Sequence, residues 1–246
     1  MDWTKTNWEN SEKEFSQKRK VNNKVSWKLP HIIGTFYSSK MERSVEYESI
    51  NEFIFYAFLE LDVKTIRYYI QPVEINIYCL DEVGNKKNWV HIPDVLVFRQ
   101  DSLPLLYQVK DPRSKESKKL EIINRACVKY VENVNWHYKV VYPKTLPEKL
   151  ITNIRFLFGF IKSRKYYDKW IPQLIERVKY FKSVSIGQLA KSFSDEIDPL
   201  NIIPIIYHLL AKGVFYTEIY KDISEFNEVI LAEENYTDLF INLLEI

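Results

Sequence analysis

Two apolar runs joined by a polar turn, at residues 91–110, constrain the fold of this chain more than any other feature. The segment "HIPDVLVFRQDSLPLLYQVK" is typical of a β-hairpin. Asp94 lies at the start of the first run, and Gln108 and Lys110 lie at the end of the second. Because residues two apart on a strand share a face, we expect Gln108 and Lys110 to project together, beside Asp94 on the neighbouring strand.

The rest of the first half has the periodicities of a mixed α/β unit. Apolar residues at spacings of three and four predict a helix over residues 49–61, with Ser49 as N-cap and Glu52 as its capping-box partner. Residues 1–45 show no clear period and are expected to form an extended arm. The other predicted elements are one or two strands over 63–80 with a break at Gln71-Pro72, a turn over 81–88, a helix over 115–134 and a strand over 137–143.

Beyond residue 147 the pattern becomes mostly helical. Residues 148–181 predict two helices, Ser185 caps a short one, and Asp198 with Pro199 begins a helix that Gly213 ends. Two short strands follow, which makes a helix, helix and two-strand wing. The predicted fold is therefore a restriction-endonuclease-like mixed sheet flanked by helices in residues 1–147, then a mainly helical, winged-helix-like domain in 148–246.

Composition excludes several classes of protein. The chain has only 5 glycines and no glycine-rich phosphate-binding motif. Cys79 and Cys127 lie in apolar segments, which favours reduced thiols over a disulfide or a zinc site. The polar N-terminus and the absence of a long apolar run predict a cytoplasmic protein with no membrane segment.

The charge is nearly balanced, at +2, but unevenly distributed. Basic clusters at 18–28 and 110–129 favour a polyanionic partner, whereas the chain is acidic from Glu218 onward. The residues predicted to contact DNA are Arg113, Lys115, Lys118, Lys119 and Arg125. The helix over 198–212 offers as outer residues Asn201, Ile205, His208 and Lys212. Only one of these is a fixed cation, so this domain is expected to bind a protein rather than DNA.

Oxygen atoms at the end of the hairpin suit a hard divalent cation. Asp94, the amide oxygen of Gln108 and the carbonyl of Val109 can supply ligands. Lys110 can hold or deprotonate an attacking water, or neutralise charge on a phosphate.

A further carboxylate is expected from the preceding helix, where Glu48, Glu52 and Glu60 are candidates and Glu52 is favoured. Each residue also has an ordinary structural interpretation: Lys110 can protect a sheet edge, Asp94 can cap a turn, and Glu52 can act only as a capping partner. The order of acidic helix, strands, PD strand, QxK strand and basic helix favours the PD-(D/E)xK nuclease layout, with glutamine in the middle place. His91 can touch the same site, although a structural role is favoured for a lone strand histidine.

The stretches "YESINEFIFYAFLELDVKTIRYYIQPVEI", "PDVLVF" and "LYQVK" together resemble the TnsA family, the endonuclease subunit of heteromeric transposases. The resemblance covers most of residues 45–246. It implies that Glu52, Asp94, Gln108 and Lys110 are catalytic, and that Mg²⁺ is the cofactor, with Mn²⁺ able to substitute.

The resemblance also implies partners and a reaction. The chain would cut one strand, the 5′ strand, at transposon ends, together with a partner transposase and an ATPase regulator. Two alternatives remain: a restriction or repair nuclease that acts alone, and an inactive module that binds DNA or protein.

Overall fold

The computed structural model describes residues 7–19, 32–80, 84–114 and 118–232. The chain forms two compact units, one of Met1–Phe55 with Lys64–Thr145 and one of Tyr56–Val63 with Leu146–Ile246. As far as residue 145 the elements are α1 (Glu9–Glu14), β1 (Gly34–Ser38), β2 (Arg43–Tyr47), α2 (Ile50–Leu61), β3 (Thr65–Ile70), β4 (Ile75–Leu80), β5 (Lys86–His91), β6 (Val95–Arg99), β7 (Leu105–Val109), α3 (Lys118–Val134) and β8 (His137–Val141).

A four-stranded mixed sheet, in the order β3-β6-β7-β8, forms the centre of the first unit. The predicted hairpin is confirmed: β6 and β7 pair antiparallel, with Val95 opposite Tyr107 and Val97 opposite Leu105. Strand β8 then lies parallel to β7 after the α3 crossover. All five residues of β7 are buried, as expected for a strand with both faces covered. The mixed α/β sheet with flanking helices is therefore as predicted.

Two predictions for the first unit were wrong. Residues 1–45 contain the helix α1 and most of an antiparallel β-hairpin of β1 with β2, rather than an extended arm. Residues 86–88, predicted as part of a turn, begin β5, which pairs with β4 in a separate two-stranded ribbon. Residues 86–88 are all polar, and pairing with β4 satisfies their backbone although their composition does not predict a strand.

The helices of the first unit begin and pack for local reasons. Ser49 Oγ accepts a hydrogen bond from the Glu52 N–H at 3.2 Å, so Ser49 caps α2 as predicted. On α3 the buried residues Leu120, Ile123, Cys127 and Val131 recur on one face. Neither Cys79 nor Cys127 forms a disulfide.

The second unit is mostly helical and carries a small sheet. Its elements from residue 146 are α4 (Glu148–Phe158), α5 (Tyr167–Phe181), β9 (Val184–Ser185), α6 (Ile186–Lys191), α7 (Pro199–Ala211), β10 (Phe215–Tyr216) and β11 (Glu228–Leu231). The small sheet is antiparallel in the order β10-β11-β9. The predicted caps are confirmed, because Ser185 accepts from the Gln188 N–H and Asp198 accepts from the Leu200 N–H.

The outer face predicted for α7 was half wrong. Ile205 and His208 are buried, at 0% and 4% exposure, whereas Asn201 and Lys212 are exposed. Leu200, at 72% exposure, joins them on the open side. The helix is apolar on most of its circumference, so its sequence gives little periodic signal to orient it. Among the described residues, no helix combines the length and apolar character needed to cross a bilayer.

Candidate active site

A pocket of about 590 Å³ opens in the first unit, and all four residues predicted to be catalytic line it. Glu52 reaches it from the first turn of α2, Asp94 from the residue before β6, and Gln108 and Lys110 from the end of β7. Four positions spread over 59 residues of sequence (52 to 110) therefore meet at one end of the sheet.

Asp94 is held by backbone hydrogen bonds to both neighbouring strands. Its N–H donates to the Tyr107 carbonyl at 3.1 Å, and its carbonyl accepts from the Gln71 N–H at 2.8 Å. The carboxylate is anchored as well: Oδ2 accepts from the Val109 N–H at 2.6 Å and from Gln108 Nε2. The Asp94 Oδ1 atom accepts no hydrogen bond from a described residue, which leaves it available to a cation.

The amide of Gln108 connects Asp94 with His91. Its NH₂ group donates to Asp94, and its oxygen lies 2.7 Å from His91 Nε2. Gln108 is 1% exposed, so water cannot easily replace either partner. Sequence reasoning favoured a structural role for His91, but the histidine lines the pocket itself.

Glu52 lines the pocket and also helps to cap the N-terminus of α2. Its carboxylate accepts from the Glu48 N–H at 2.8 Å and from the Ser49 hydroxyl at 3.2 Å. Burial first, and the nearby Asp94 carboxylate second, raise the pKa of Glu52 to about 7. The capping role and a role in the pocket are therefore compatible in one side chain.

The Asp94 carboxyl is perturbed in the same direction. Burial raises the pKa of Asp94 to about 6, although the Lys110 ammonium and the Val109 N–H oppose the change. Burial therefore makes ionisation unfavourable for two carboxyls in the same pocket. Perturbation of this kind is concentrated at functional sites.

The other glutamates are placed differently from Glu52. Glu48 lines the pocket but forms an ion pair with Arg19, and Glu60, buried near the end of α2, is not part of the pocket lining. Glu48 and Glu52 therefore both line the pocket, and the preference for Glu52 stays a prediction. In the sequence, Arg19 is one charge of the basic cluster at 18–28. Its ion pair joins it to Glu48, 29 residues further along the chain.

The predicted DNA-contact residues that the structure describes are exposed, and both arginines among them are paired. Arg113 bonds to Asp111, and Arg125 pairs with Glu121 one helical turn earlier. Lys119 lines the pocket, with its ammonium 6.0 Å from the centre of the Trp89 ring. Lys118 is exposed at the start of α3, and Lys115 lies outside the described residues.

The donor set of the pocket suits a hard divalent cation. Asp94 and Glu52 supply carboxylates, Gln108 an amide oxygen and Val109 a backbone carbonyl, all of them oxygen donors. As it lies, the Gln108 amide turns its NH₂ group, not its oxygen, towards Asp94. Within the described ranges no group of three or more His, Cys, Asp or Glu side chains could hold a metal ion by itself. A cation here would depend on the amide and the backbone.

No protein-family model matches this chain, and no curated protein matches it either.

Proposed function

We propose that this chain is a Mg²⁺-dependent DNA endonuclease that cuts one strand, the 5′ strand, at transposon ends, as a subunit of a heteromeric transposase. The observation that supports the proposal is the convergence of Glu52, Asp94, Gln108 and Lys110 on one pocket at the end of the β6–β7 hairpin. The resemblance of the surrounding segments to the TnsA family supplies the substrate and the partners.

Each side chain has a role that its position allows. Asp94 and Glu52 would hold the ion, with the Gln108 oxygen and the Val109 carbonyl completing the protein ligands. When bound, Mg²⁺ would polarise the scissile phosphodiester and favour loss of a proton from the attacking water.

Lys110 lies immediately after β7, and its N–H donates to the Val141 carbonyl at 2.9 Å, which fixes its backbone against β8. Its ammonium is close enough to lower the pKa of Asp94. From there Lys110 would orient the water or neutralise the charge that develops on the phosphate.

The order of elements in the second unit supports a winged helix. Helix α5, strand β9, helices α6 and α7, and strands β10 and β11 follow the chain order expected for it, with β11 between the other two strands. Leu200, Asn201 and Lys212 occupy exposed positions on or just after α7. A helix face with one fixed cation suits a protein surface better than a phosphate backbone, so we assign this unit to a partner such as the ATPase regulator.

The test is strand cutting by the purified chain on DNA that carries transposon ends, with and without the transposase and the ATPase encoded beside it. Cutting that needs Mg²⁺ and both partners, and that Asp94→Ala abolishes, is the expected result. Mg²⁺-dependent cutting by the chain alone would identify a restriction or repair nuclease instead. A chain that neither cuts nor binds Mg²⁺ or Mn²⁺ would be an inactive binding module.

A further inference from the structure

The Gln108 amide is held at both ends by side chains with different hydrogen-bonding capacities. An ionised carboxylate such as Asp94 only accepts, so it fixes the NH₂ group of the amide towards itself. The amide oxygen then requires a donor, and His91 Nε2 lies 2.7 Å away. In this arrangement His91 carries its proton on Nε2.

A cation bound by Asp94 requires the opposite orientation of the amide, because a hard cation binds oxygen and not an NH₂ group. If the amide turns by about 180°, its oxygen lies on the Asp94 side and its NH₂ group meets His91. His91 must then accept a hydrogen bond at Nε2. A neutral imidazole can do either, since its one proton can lie on either ring nitrogen.

We propose that His91 is the positioning residue for Gln108: it donates from Nε2 when no cation is bound and accepts at Nε2 when Gln108 turns its oxygen to a cation held by Asp94. The inference rests on the proposed function, because it assumes that the pocket binds a divalent ion. No net protonation is involved, since Nε2 releases one proton to water while Nδ1 takes one up. His91 acts through Gln108 and does not touch the reacting atoms.

The surroundings of His91 keep it neutral and in place. Burial lowers the pKa of His91, and the nearby cations Lys110 and Arg19 act in the same direction. The residue ends β5 opposite Ile75, so the pairing of β4 with β5 fixes its backbone. Gln108 is buried, and its amide would lose a partner that solvent cannot replace if His91 were removed.

This arrangement accounts for a glutamine in the middle position of the motif. A glutamate there would present oxygens in either orientation and would need no partner to turn it. Gln108 has only one oxygen and therefore depends on a neighbour that tolerates both orientations. His91 and Gln108 should accordingly act as one unit.

The first test is calorimetric binding of Mn²⁺ by the full chain and five variants. We expect His91→Phe to weaken Mn²⁺ binding about tenfold, and His91→Gln, whose amide can donate or accept, to stay within about threefold of wild type. In a Gln108→Ala background, His91→Phe should cause no further loss. The control is His137→Phe, at an exposed histidine of β8 that is not part of the pocket lining, and it should bind as wild type does.

The second test reads the tautomer directly. The chain has 4 histidines, and ¹⁵N-histidine NMR, assigned with His91→Gln, can follow the proton on His91. We expect it on Nε2 without a divalent ion and on Nδ1 at saturating Mg²⁺. This test uses the wild-type chain, so it remains decisive even if His91→Phe does not fold.

The outcomes separate the two proposals. A wild-type chain that binds neither ion removes the proposed function and this inference with it. Normal wild-type binding that His91→Phe leaves unchanged would overturn the inference alone. The same holds if the losses from His91→Phe and Gln108→Ala add, or if the His91 tautomer is unaltered when Mg²⁺ binds.

Discussion

Buried polar side chains are used differently in the two units. In the first, Gln108, Asp94 and His91 hydrogen-bond to one another around a pocket. In the second, Asn153 Nδ2 donates to the carbonyls of Ile219 and Lys221, at 2.7 and 2.6 Å. Bonds to backbone carbonyls tie segments together, whereas a cluster of side chains around two raised-pKa carboxyls is costly to stability. The contrast favours the first unit as the location of the candidate site.

One buried histidine and one partly buried histidine show the same contrast. Burial lowers the pKa of both His91 and His208. His208 donates from Nδ1 to the Phe160 carbonyl at 2.7 Å, and a carbonyl only accepts, so its tautomer is fixed. The partner of His91 is an amide, which offers a donor at one end and an acceptor at the other. The difference in partner therefore produces a structural histidine in one unit and an adaptable one in the other.

The largest effect should come from Asp94. Asp94→Asn keeps the shape of the side chain but removes its charge, so we expect strand cutting to fall about 1000-fold, since a catalytic ion is worth several kcal/mol at the transition state. Single-turnover cleavage in the assembled reaction measures it. A variant that cuts within tenfold of wild type would mean that the pocket is not the active site.

Lys110 should come next. Lys110→Ala removes the ammonium but no cation ligand, so we expect the cutting rate to fall about 100-fold with Mn²⁺ affinity changed less than twofold. Rate and calorimetry on one preparation separate the two quantities. Lys162→Ala, at an exposed lysine of the second unit, is the matched control. Near-normal cutting by Lys110→Ala would mean that Lys110 only protects a sheet edge.

The raised pKa of Glu52 predicts a pH-dependent stability. With a folded pKa of about 7 against an ordinary 4.5, the ion-free fold has no penalty below pH 4.5, loses stability as pH rises to about 7, and keeps that loss above it. Glu52→Gln should therefore be more stable than wild type at pH 8 by about 2 to 3 kcal/mol, and equal to it at pH 4. Urea unfolding in EDTA at the two pH values checks the sign, and an equal difference at both would contradict it.

Asn153 tests whether a buried polar side chain of the second unit contributes to stability alone. Asn153→Ala leaves the carbonyls of Ile219 and Lys221 without their donor, so the free energy of unfolding should fall by about 1 to 2 kcal/mol, while Mn²⁺ affinity and the cutting rate per folded molecule stay the same. Denaturant titration and calorimetry measure the two quantities. A loss of Mn²⁺ binding would show that buried polar groups of the second unit also serve the pocket.

The smallest effect concerns DNA binding. Lys119→Ala should weaken duplex binding about threefold and reduce the salt slope by about 0.9, the value for one phosphate contact. Arg113→Ala should weaken duplex binding less than Lys119→Ala does, because Asp111 already pairs with Arg113. Lys212→Ala, next to α7, should leave duplex binding unchanged if the second unit binds protein. Equal losses for Lys119→Ala and Lys212→Ala would assign DNA contact to both units.

Features that depend on a few neighbouring residues were predictable from the sequence. The caps at Ser49, Ser185 and Asp198 are hydrogen bonds within three residues, and each was confirmed. Gly213, at φ +67°, ends α7 in a conformation that glycine tolerates best. The hairpin within residues 91–110 was equally local, because two apolar runs joined by a polar turn are neighbours in the sequence.

Features that depend on distant partners were decided only by the tertiary structure. On α7, His208 was predicted on the outer face but is buried and bonds to the carbonyl of Phe160, 48 residues earlier in the sequence. The same is true of the site, where His91 meets Gln108 across 17 residues and Arg19 meets Glu48 across 29. Local pattern determined which residues are candidates for the chemistry of the site. Long-range pairing determined which neighbours hydrogen-bond to them or form ion pairs beside them. A hydrogen bond between two side chains leaves no periodic pattern in the sequence of either segment, so only the tertiary structure could show it.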